Sequence, residues 1–132
     1  MSNSNAPVLV LFMPRQLSHV KNNFKNEYEE LVSFFKKRVQ DGHAVLICSG
    51  NSHLQYMGQH PSVHTVEEAF EFCSSGTDRA GQRSRPTGDI KNLENAINAF
   101  GLVEIDTTNN VLELRSIGSD TGNVILTKTH PI

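Results

Sequence analysis

Two short apolar runs on either side of an amphipathic segment limit most strongly what this chain can fold into. The first run covers residues 7–12 (PVLVLF) and the second covers Ala44–Cys48. Between Asn22 and Gln40 apolar residues recur at helical spacing, and Gly42 then supplies a helix stop. Continuous apolar runs of this length are typical of strands that are buried on both faces. Because strand–helix–strand units close almost always with parallel strands, the chain is predicted to begin with a parallel α/β unit.

Later in the chain the pattern is that of strands and turns. Residues 65–76 alternate, with Phe70 and Phe72 on one face and Glu71 on the other, which predicts a strand half-covered by other structure. A turn-rich loop at 74–89 and a short helix or turn at 90–100, stopped by Gly101, come next. Three short segments then predict an antiparallel meander, and they cover residues 102–106, 111–117 and 123–128.

The 132 residues are predicted to form a single domain of the α/β class. Its parts are an α/β unit with the candidate site, a loop with a short helix, and antiparallel strands, at residues 7–76, 77–100 and 101–132. A net charge of −2 gives no basic surface for nucleic acid. No apolar run is long enough for a membrane span and no signal peptide is visible, so we expect a cytoplasmic protein. Cys48 and Cys73 lie within apolar runs and are expected to be reduced and buried.

A small polar turn after the second apolar run is the main candidate for chemistry. Ligands of open α/β sheets bind beyond the carboxyl ends of the strands, and Ser49 and Gly50 let the backbone approach an ion or a phosphate there. His53 ends this turn, and imidazole is a common ligand for zinc, iron and manganese. The alternative is an ordinary surface histidine. His60 and His64 have a spacing compatible with a metal but lie in a predicted loop.

A second candidate is the cluster of arginines in the long loop between the two halves. Arg79, Arg83 and Arg85 lie within seven residues of one another. Guanidinium groups bind phosphate oxygens in a bidentate manner, so Arg79 is a candidate ligand-binding residue together with Ser49 and Gly50. The competing interpretation is a loop that is simply solvated. Both cysteines are excluded as nucleophiles, because apolar surroundings raise the pKa of a thiol.

Three motifs in this order resemble the C-terminal part of PhoD-like metallophosphoesterases, which belong to the calcineurin-like superfamily. They are Ser49–His53 (SGNSH), Glu71–Gly76 (EFCSSG) and Phe100–Asp106 (FGLVEID). In that family a helix precedes a buried strand ending in Ser-Gly-Asp-x-His. A strand ending in Glu-Phe-x-x-Ser-Ser-Gly follows, and a Phe-Gly-x-x-x-Ile-Asp strand leads into an antiparallel pair. The resemblance extends over nearly the whole chain from about residue 7.

The resemblance implies half of a sandwich of two sheets flanked by helices, with a two-metal centre that hydrolyses phosphate esters, as in alkaline phosphatases. His53 matches the metal-binding histidine of the family, and Asn51 stands where the family usually has aspartate. The asparagine lacks an anionic oxygen, so a divalent ion (Mn, Fe, Zn or Ca) is expected to be held weakly.

The family's other metal ligands lie in motifs on earlier strands, namely Asp-x-His, Gly-Asp and Gly-Asn-His-Asp/Glu. One of them, Gly-Asn-His-Asp/Glu, does not occur in this sequence. A single imidazole and a single amide do not complete a two-metal site. We therefore expect a module that is inactive alone and contributes to a phosphatase or an assembly, as a homo-oligomer or with a partner chain. Two alternatives remain, namely a degenerate module retained for folding and a stand-alone α/β regulatory or ligand-binding domain without catalysis.

Overall fold

A parallel strand–helix–strand unit begins the fold, which confirms the α/β prediction. The computed structural model describes residues 5–50, 55–58, 69–74 and 98–132. Strand β1 (Val8–Met13) pairs in parallel with β2 (Ala44–Ser49), and Val8 lies opposite Ala44. The parallel arrangement brings the carboxyl ends of both strands to the same edge of the sheet.

Two helices connect these strands, whereas the sequence predicted one helix between Asn22 and Gln40. Helix α1 covers Leu17–Asn23 and helix α2 covers Lys25–Gln40. Phe24 separates them with a φ of −141°, which is outside the helical range. The stop at Gly42 is confirmed, because its φ of +85° lies in the region that glycine adopts without strain.

Two further strands complete the first sheet. These are β3 (Gln55–Gly58) and β4 (Ala69–Ser74), and the strand order is β1-β2-β4-β3. Strand β4 is parallel to β2, and β3 is antiparallel to β4. Strand β3 was not predicted, since four residues that follow a polar turn carry too little periodicity to indicate a strand.

Burial in this sheet corrects two predictions. Strand β4 is buried on both faces rather than half-covered: Ala69 packs with the helices, Phe72 packs on the opposite side, and Glu71 is 0% exposed. Strand β1 was predicted to be buried on both faces, but it lies at the edge of the sheet and Phe12 is 77% exposed. The apolar sequence of β1 is that of a central strand, although β1 has a single strand neighbour among the described residues.

The C-terminal segment forms a second, antiparallel sheet, as predicted. Its strands are β5 (Ala99–Asp106), β6 (Val111–Gly118) and β7 (Val124–Pro131), in the order β5-β6-β7. The predicted helix or turn at 90–100 is wrong at its end, since Ala99 and Phe100 already belong to β5 and Gly101 lies inside this strand. Residues 90–97 lie outside the described part of the chain.

The two sheets pack face to face, and the helices cover the opposite face of the first sheet. Leu46 and Phe72 share a hydrophobic cluster with Leu112 and Leu114 of the second sheet. On the helical side, Phe35 of α2 packs with a separate cluster of buried residues that includes Val45, Ile47 and Ala69. The described residues therefore form three layers, which are helices, a mostly parallel sheet and an antiparallel sheet.

No helix in the described ranges combines the length and the apolar character needed to cross a bilayer. Both cysteines are free thiols, as predicted. Cys73 is buried and Cys48 is half-buried.

Candidate functional site

The carboxyl ends of β1, β2 and β4 meet at one edge of the first sheet, where the sequence analysis placed the candidate site. Met13, Ser49 and Cys73 lie at matching register positions at the ends of the three strands. Of the predicted site residues, the structure describes Ser49 and Gly50. The others lie outside the described residues, and they are Asn51, His53, Arg79, His60, His64, Arg83 and Arg85.

The backbone at the start of the turn is fixed by two hydrogen bonds. Ser49 is 8% exposed, and its hydroxyl donates to Oε1 of Glu71 at 2.7 Å. The carbonyl of Gly50 accepts a hydrogen bond from the Gln16 side chain at 2.8 Å. The turn therefore leaves β2 from a defined position, held by a neighbouring strand and by the loop that follows β1.

Glu71 is a central residue of this edge that the sequence analysis did not single out. Its carboxylate is fully buried on the helical side of β4. Oε1 accepts hydrogen bonds from the Ser49 hydroxyl and from the backbone N–H of Leu17 at 3.1 Å, so it joins β2, β4 and the start of α1. An acidic residue within the apolar pattern AFEFC was the available signal, because a buried carboxylate requires such partners.

Tyr56 of β3 adds a phenol to the same region. The pKa of Tyr56 is raised mainly by burial, and the negative charge of Glu71 raises it further. Its phenol is therefore neutral at physiological pH. The Gln16 amide also contacts Sγ of Cys73 at 3.5 Å. These side chains form a polar cluster that supports the edge from the helical side.

A pocket of about 250 Å³ opens at the same edge, between the two sheets. Its walls are apolar at Phe12, Phe72 and Val103, and the remaining lining comes from Cys48, Ser49, Ser74 and Gly101. Burial raises the pKa of Cys48 to about 11. The thiol is thus protonated near neutral pH, in agreement with its predicted exclusion as a nucleophile.

Polar side chains beside this pocket also connect the two sheets. Oε1 of Gln55 accepts hydrogen bonds from Ser74 at 2.6 Å and from Ser116 at 2.8 Å. Ser116 is fully buried in β6, so these bonds hold the second sheet against β3 and β4. Gly101 comes close to the same place, because a Cβ built there would lie 2.8 Å from the Phe72 ring.

Two short matches to the family's earlier motifs occur in the sequence. Asp41-Gly42-His43 matches Asp-x-His, but it lies between α2 and β2, at the edge opposite Ser49. There Asp41 accepts a hydrogen bond from Lys37 at 2.9 Å, which lowers the pKa of its carboxyl. We therefore exclude this triplet from the candidate site. The Gly-Asp pair at residues 88–89 lies outside the described residues.

Metal-ligating side chains do not form a cluster in the part of the chain that the structure describes. There, no group of three or more histidine, cysteine, aspartate or glutamate residues is arranged to hold an ion. His19 lies on α1, with Nδ1 3.4 Å from Arg15 and 3.3 Å from the Asn23 amide. His130 packs edge-on against Phe70, with ring centroids 4.3 Å apart.

Comparison with known proteins gives no relative. No family model, no curated protein and no solved structure matches the chain.

Proposed function

We propose that the chain is a metallophosphoesterase-like module in which the turn after β2, at residues 49–53, holds one divalent metal ion. His53 is the proposed nitrogen ligand, and Asn51 is a proposed oxygen ligand. Hydrolysis requires further carboxylate ligands from another polypeptide. By itself the chain is inactive, and its role is to contribute to a phosphatase or an assembly.

The proposal is supported by the position at which the turn leaves β2 and by the hydrogen bonds that hold its first residues. Ser49 ends β2 beside the carboxyl ends of the parallel strands β1 and β4, and Gly50 follows it, at the edge where open α/β sheets bind ligands. The buried Glu71 carboxylate and the Gln16 amide fix both residues from the helical side. A rigid start to a ligand-bearing loop reduces the entropy lost when an ion is bound.

The donor set explains why the module needs a partner. An imidazole and an amide oxygen leave a zinc or manganese ion short of the four to six ligands that it requires. In a two-metal hydrolase, the ions supply a hydroxide and neutralise charge on the phosphoryl oxygens. The role proposed for this chain is narrower: its turn positions one imidazole at the end of β2.

Titration calorimetry of the purified chain with Mn²⁺ and with Zn²⁺ tests this proposal. We expect one saturable site per chain in the wild type and loss of that site in His53→Ala. Replacing Asn51 with aspartate restores the anionic oxygen of the family motif, and we expect it to tighten binding by roughly tenfold. Hydrolysis of p-nitrophenyl phosphate by the isolated chain is expected to stay at the background rate.

His43→Ala is the matched control, because His43 lies directly before β2, at the opposite edge of the sheet. This substitution is expected to leave the titration unchanged. The proposal is contradicted if the wild type takes up no metal. It is contradicted equally if His53→Ala binds metal as the wild type does.

The pocket favours a second candidate function, a stand-alone ligand-binding domain without catalysis. A cavity of about 250 Å³ beside Ser49 is larger than an engineered cavity of roughly 150 Å³ that holds benzene. Its apolar walls and the Ser74 hydroxyl suit a small aromatic or aliphatic molecule with one polar group. Under this alternative, a ligand such as phenol binds equally well with or without His53, which distinguishes it from the metal module.

A further inference from the structure

In the described part of the chain, β2 is the single strand neighbour of β1, and the other edge of β1 combines features that natural edge strands usually avoid. The strand has the sequence VLVLFM, with no charged residue and no proline. Five of its six residues are half-buried, and Phe12 is 77% exposed. Edge strands are normally protected by lysine, proline, bulges or a covering element, because an uncovered edge pairs with other strands.

Both faces of the sheet are covered along β1 except at the exposed Phe12, so what β1 lacks among the described residues is a second strand neighbour in the plane of the sheet. Leu9, Leu11 and Met13 pack against the helical cluster, and Val8 and Val10 pack against the cluster between the sheets. A helix or a loop can cover an edge, but an extended strand also forms hydrogen bonds with the whole row of backbone groups along it. A β-strand is therefore the occupant that best fits this edge.

The hydrogen-bond pattern identifies which backbone groups face outward. The N–H of Ala44 donates to the carbonyl of Pro7, which directs residue 7 toward β2. In regular parallel pairing this orientation alternates, so Leu9 and Leu11 also face β2. The outer edge thus presents the N–H and carbonyl groups of Val8, Val10 and Phe12.

We propose that this edge pairs with β1 of a second copy of the chain, in antiparallel orientation about a two-fold axis normal to the sheet. This axis keeps each face of the sheet continuous from one copy to the other. Even-numbered residues must therefore pair with even-numbered residues, and odd-numbered with odd-numbered. With Val10 opposite Val10 of the second copy, Val8 lies opposite Phe12. This register uses every outward group of all three residues in both copies. A shift by two residues in one direction would pair Val8 with the proline at position 14, which has no N–H to donate, and a shift in the other direction would pair Phe12 with Ala6, which lies before the strand.

A second copy is favoured as the occupant because the strand is complementary to itself. Two uncharged strands of equal length meet without like-charge repulsion, and a two-fold pairing closes both exposed edges at once. The dimer joins two four-stranded sheets into a continuous sheet. Its antiparallel arrangement puts the two candidate metal sites at opposite edges, so the dimer is independent of the proposed function.

The first test is the mass of the full chain in solution, measured by sedimentation equilibrium. We expect twice the chain mass of 14.7 kDa for the wild type. Phe12→Lys puts a charge on the exposed edge and is expected to weaken the dimer by about tenfold or more. Phe24→Lys is the matched control, because Phe24 is also exposed, at 51%, but lies between the helices. It is expected to leave the dimer intact.

The second test establishes the register by cysteine cross-linking under mild oxidation. In the proposed pairing, the two Val10 Cα atoms lie about 5.5 Å apart, within the range that a disulfide spans. The two Val8 Cα atoms lie roughly 14 Å apart, which a disulfide cannot bridge. We expect Val10→Cys to give a covalent dimer and Val8→Cys to give no more than the wild type. A monomeric wild type overturns the proposal, and so does a dimer that Phe12→Lys leaves unchanged or that fails to cross-link through Val10→Cys.

Discussion

At the scale of single residues, Glu71 shows how one buried carboxylate organises the candidate site. It is the one fully buried charged side chain among the described residues, and it accepts hydrogen bonds from two other elements. Burial of a carboxylate is costly unless donors surround it, so its partners and its position depend on each other. The Ser49 hydroxyl and the Leu17 N–H are therefore as important to this edge as the carboxylate itself.

Removal of this carboxylate is expected to destabilise the fold. Glu71→Ala leaves the Leu17 N–H and the Ser49 hydroxyl without their acceptor, and we expect the free energy of unfolding to fall by about 3 kcal/mol. Urea denaturation measures this change. Glu29→Ala is the control, because Glu29 is exposed on α2 and its replacement is expected to cost at most about 0.5 kcal/mol. Equal losses in the two variants would contradict the role of Glu71.

The pocket thiol gives a prediction of pH dependence. Because burial raises the pKa of Cys48 to about 11, the reactive thiolate is a small fraction at neutral pH and increases as the pH rises. We expect the rate of alkylation by iodoacetamide to rise about tenfold per pH unit between roughly pH 7 and pH 10, without a plateau. Cys48→Ser should remove this reaction, since Cys73 is fully buried. An alkylation rate that stops rising below about pH 9 would contradict this prediction, because it would show that the thiol has an ordinary pKa.

At the scale of secondary structure elements, the N-terminal unit was predictable because its signals agree. Two apolar runs, helical spacing and a glycine stop at residue 42 all indicate the same strand–helix–strand unit. The edge position of β1 was not predictable, because an apolar run has the same composition at the edge of a sheet as at its centre. The burial of Glu71 was missed because an acidic residue in an alternating stretch is typical of a solvent-exposed face.

Gly101 illustrates a second limit of sequence patterns. The sequence predicts that it stops a helix, but it lies inside β5, where the Phe72 ring occupies the space that a Cβ would need. The sequence does not indicate that these two strands approach one another. Within the candidate site, the carboxyl-edge position of Ser49 followed from the strand pattern, whereas the involvement of Gln16 and Tyr56 depends on contacts between distant segments.

Strand β5 is therefore expected to be sensitive to a single methyl group. A Cβ at position 101 would lie 2.8 Å from two atoms of the Phe72 ring and 3.0 Å from Cβ of Ser74. We expect Gly101→Ala to reduce the free energy of unfolding by about 1–3 kcal/mol. Leu102→Ala serves as the control, since Leu102 is 37% exposed and its truncation should cost less than about 1 kcal/mol. If Gly101→Ala leaves the free energy of unfolding unchanged, β5 is free to move away from β4.

At the scale of the whole molecule, two edges of the first sheet within the described residues are candidates for binding. One is the carboxyl edge of the first sheet, where a polar cluster fixes the beginning of the turn at Ser49. The other is the outer edge of β1, which we propose as a contact between two copies. These places differ in kind, since the first is suited to an ion and the second to a strand.

The central claim is that the turn after β2 binds a metal ion through His53. Histidine side-chain NMR during titration of the purified chain with Zn²⁺ tests it most directly, because this method follows the ring nitrogens of individual histidines, of which the chain has six. We predict that the His53 ring shifts in proportion to added zinc up to one equivalent, while His19 and His43 remain unchanged. A His53 resonance that does not move when zinc is added would contradict the account.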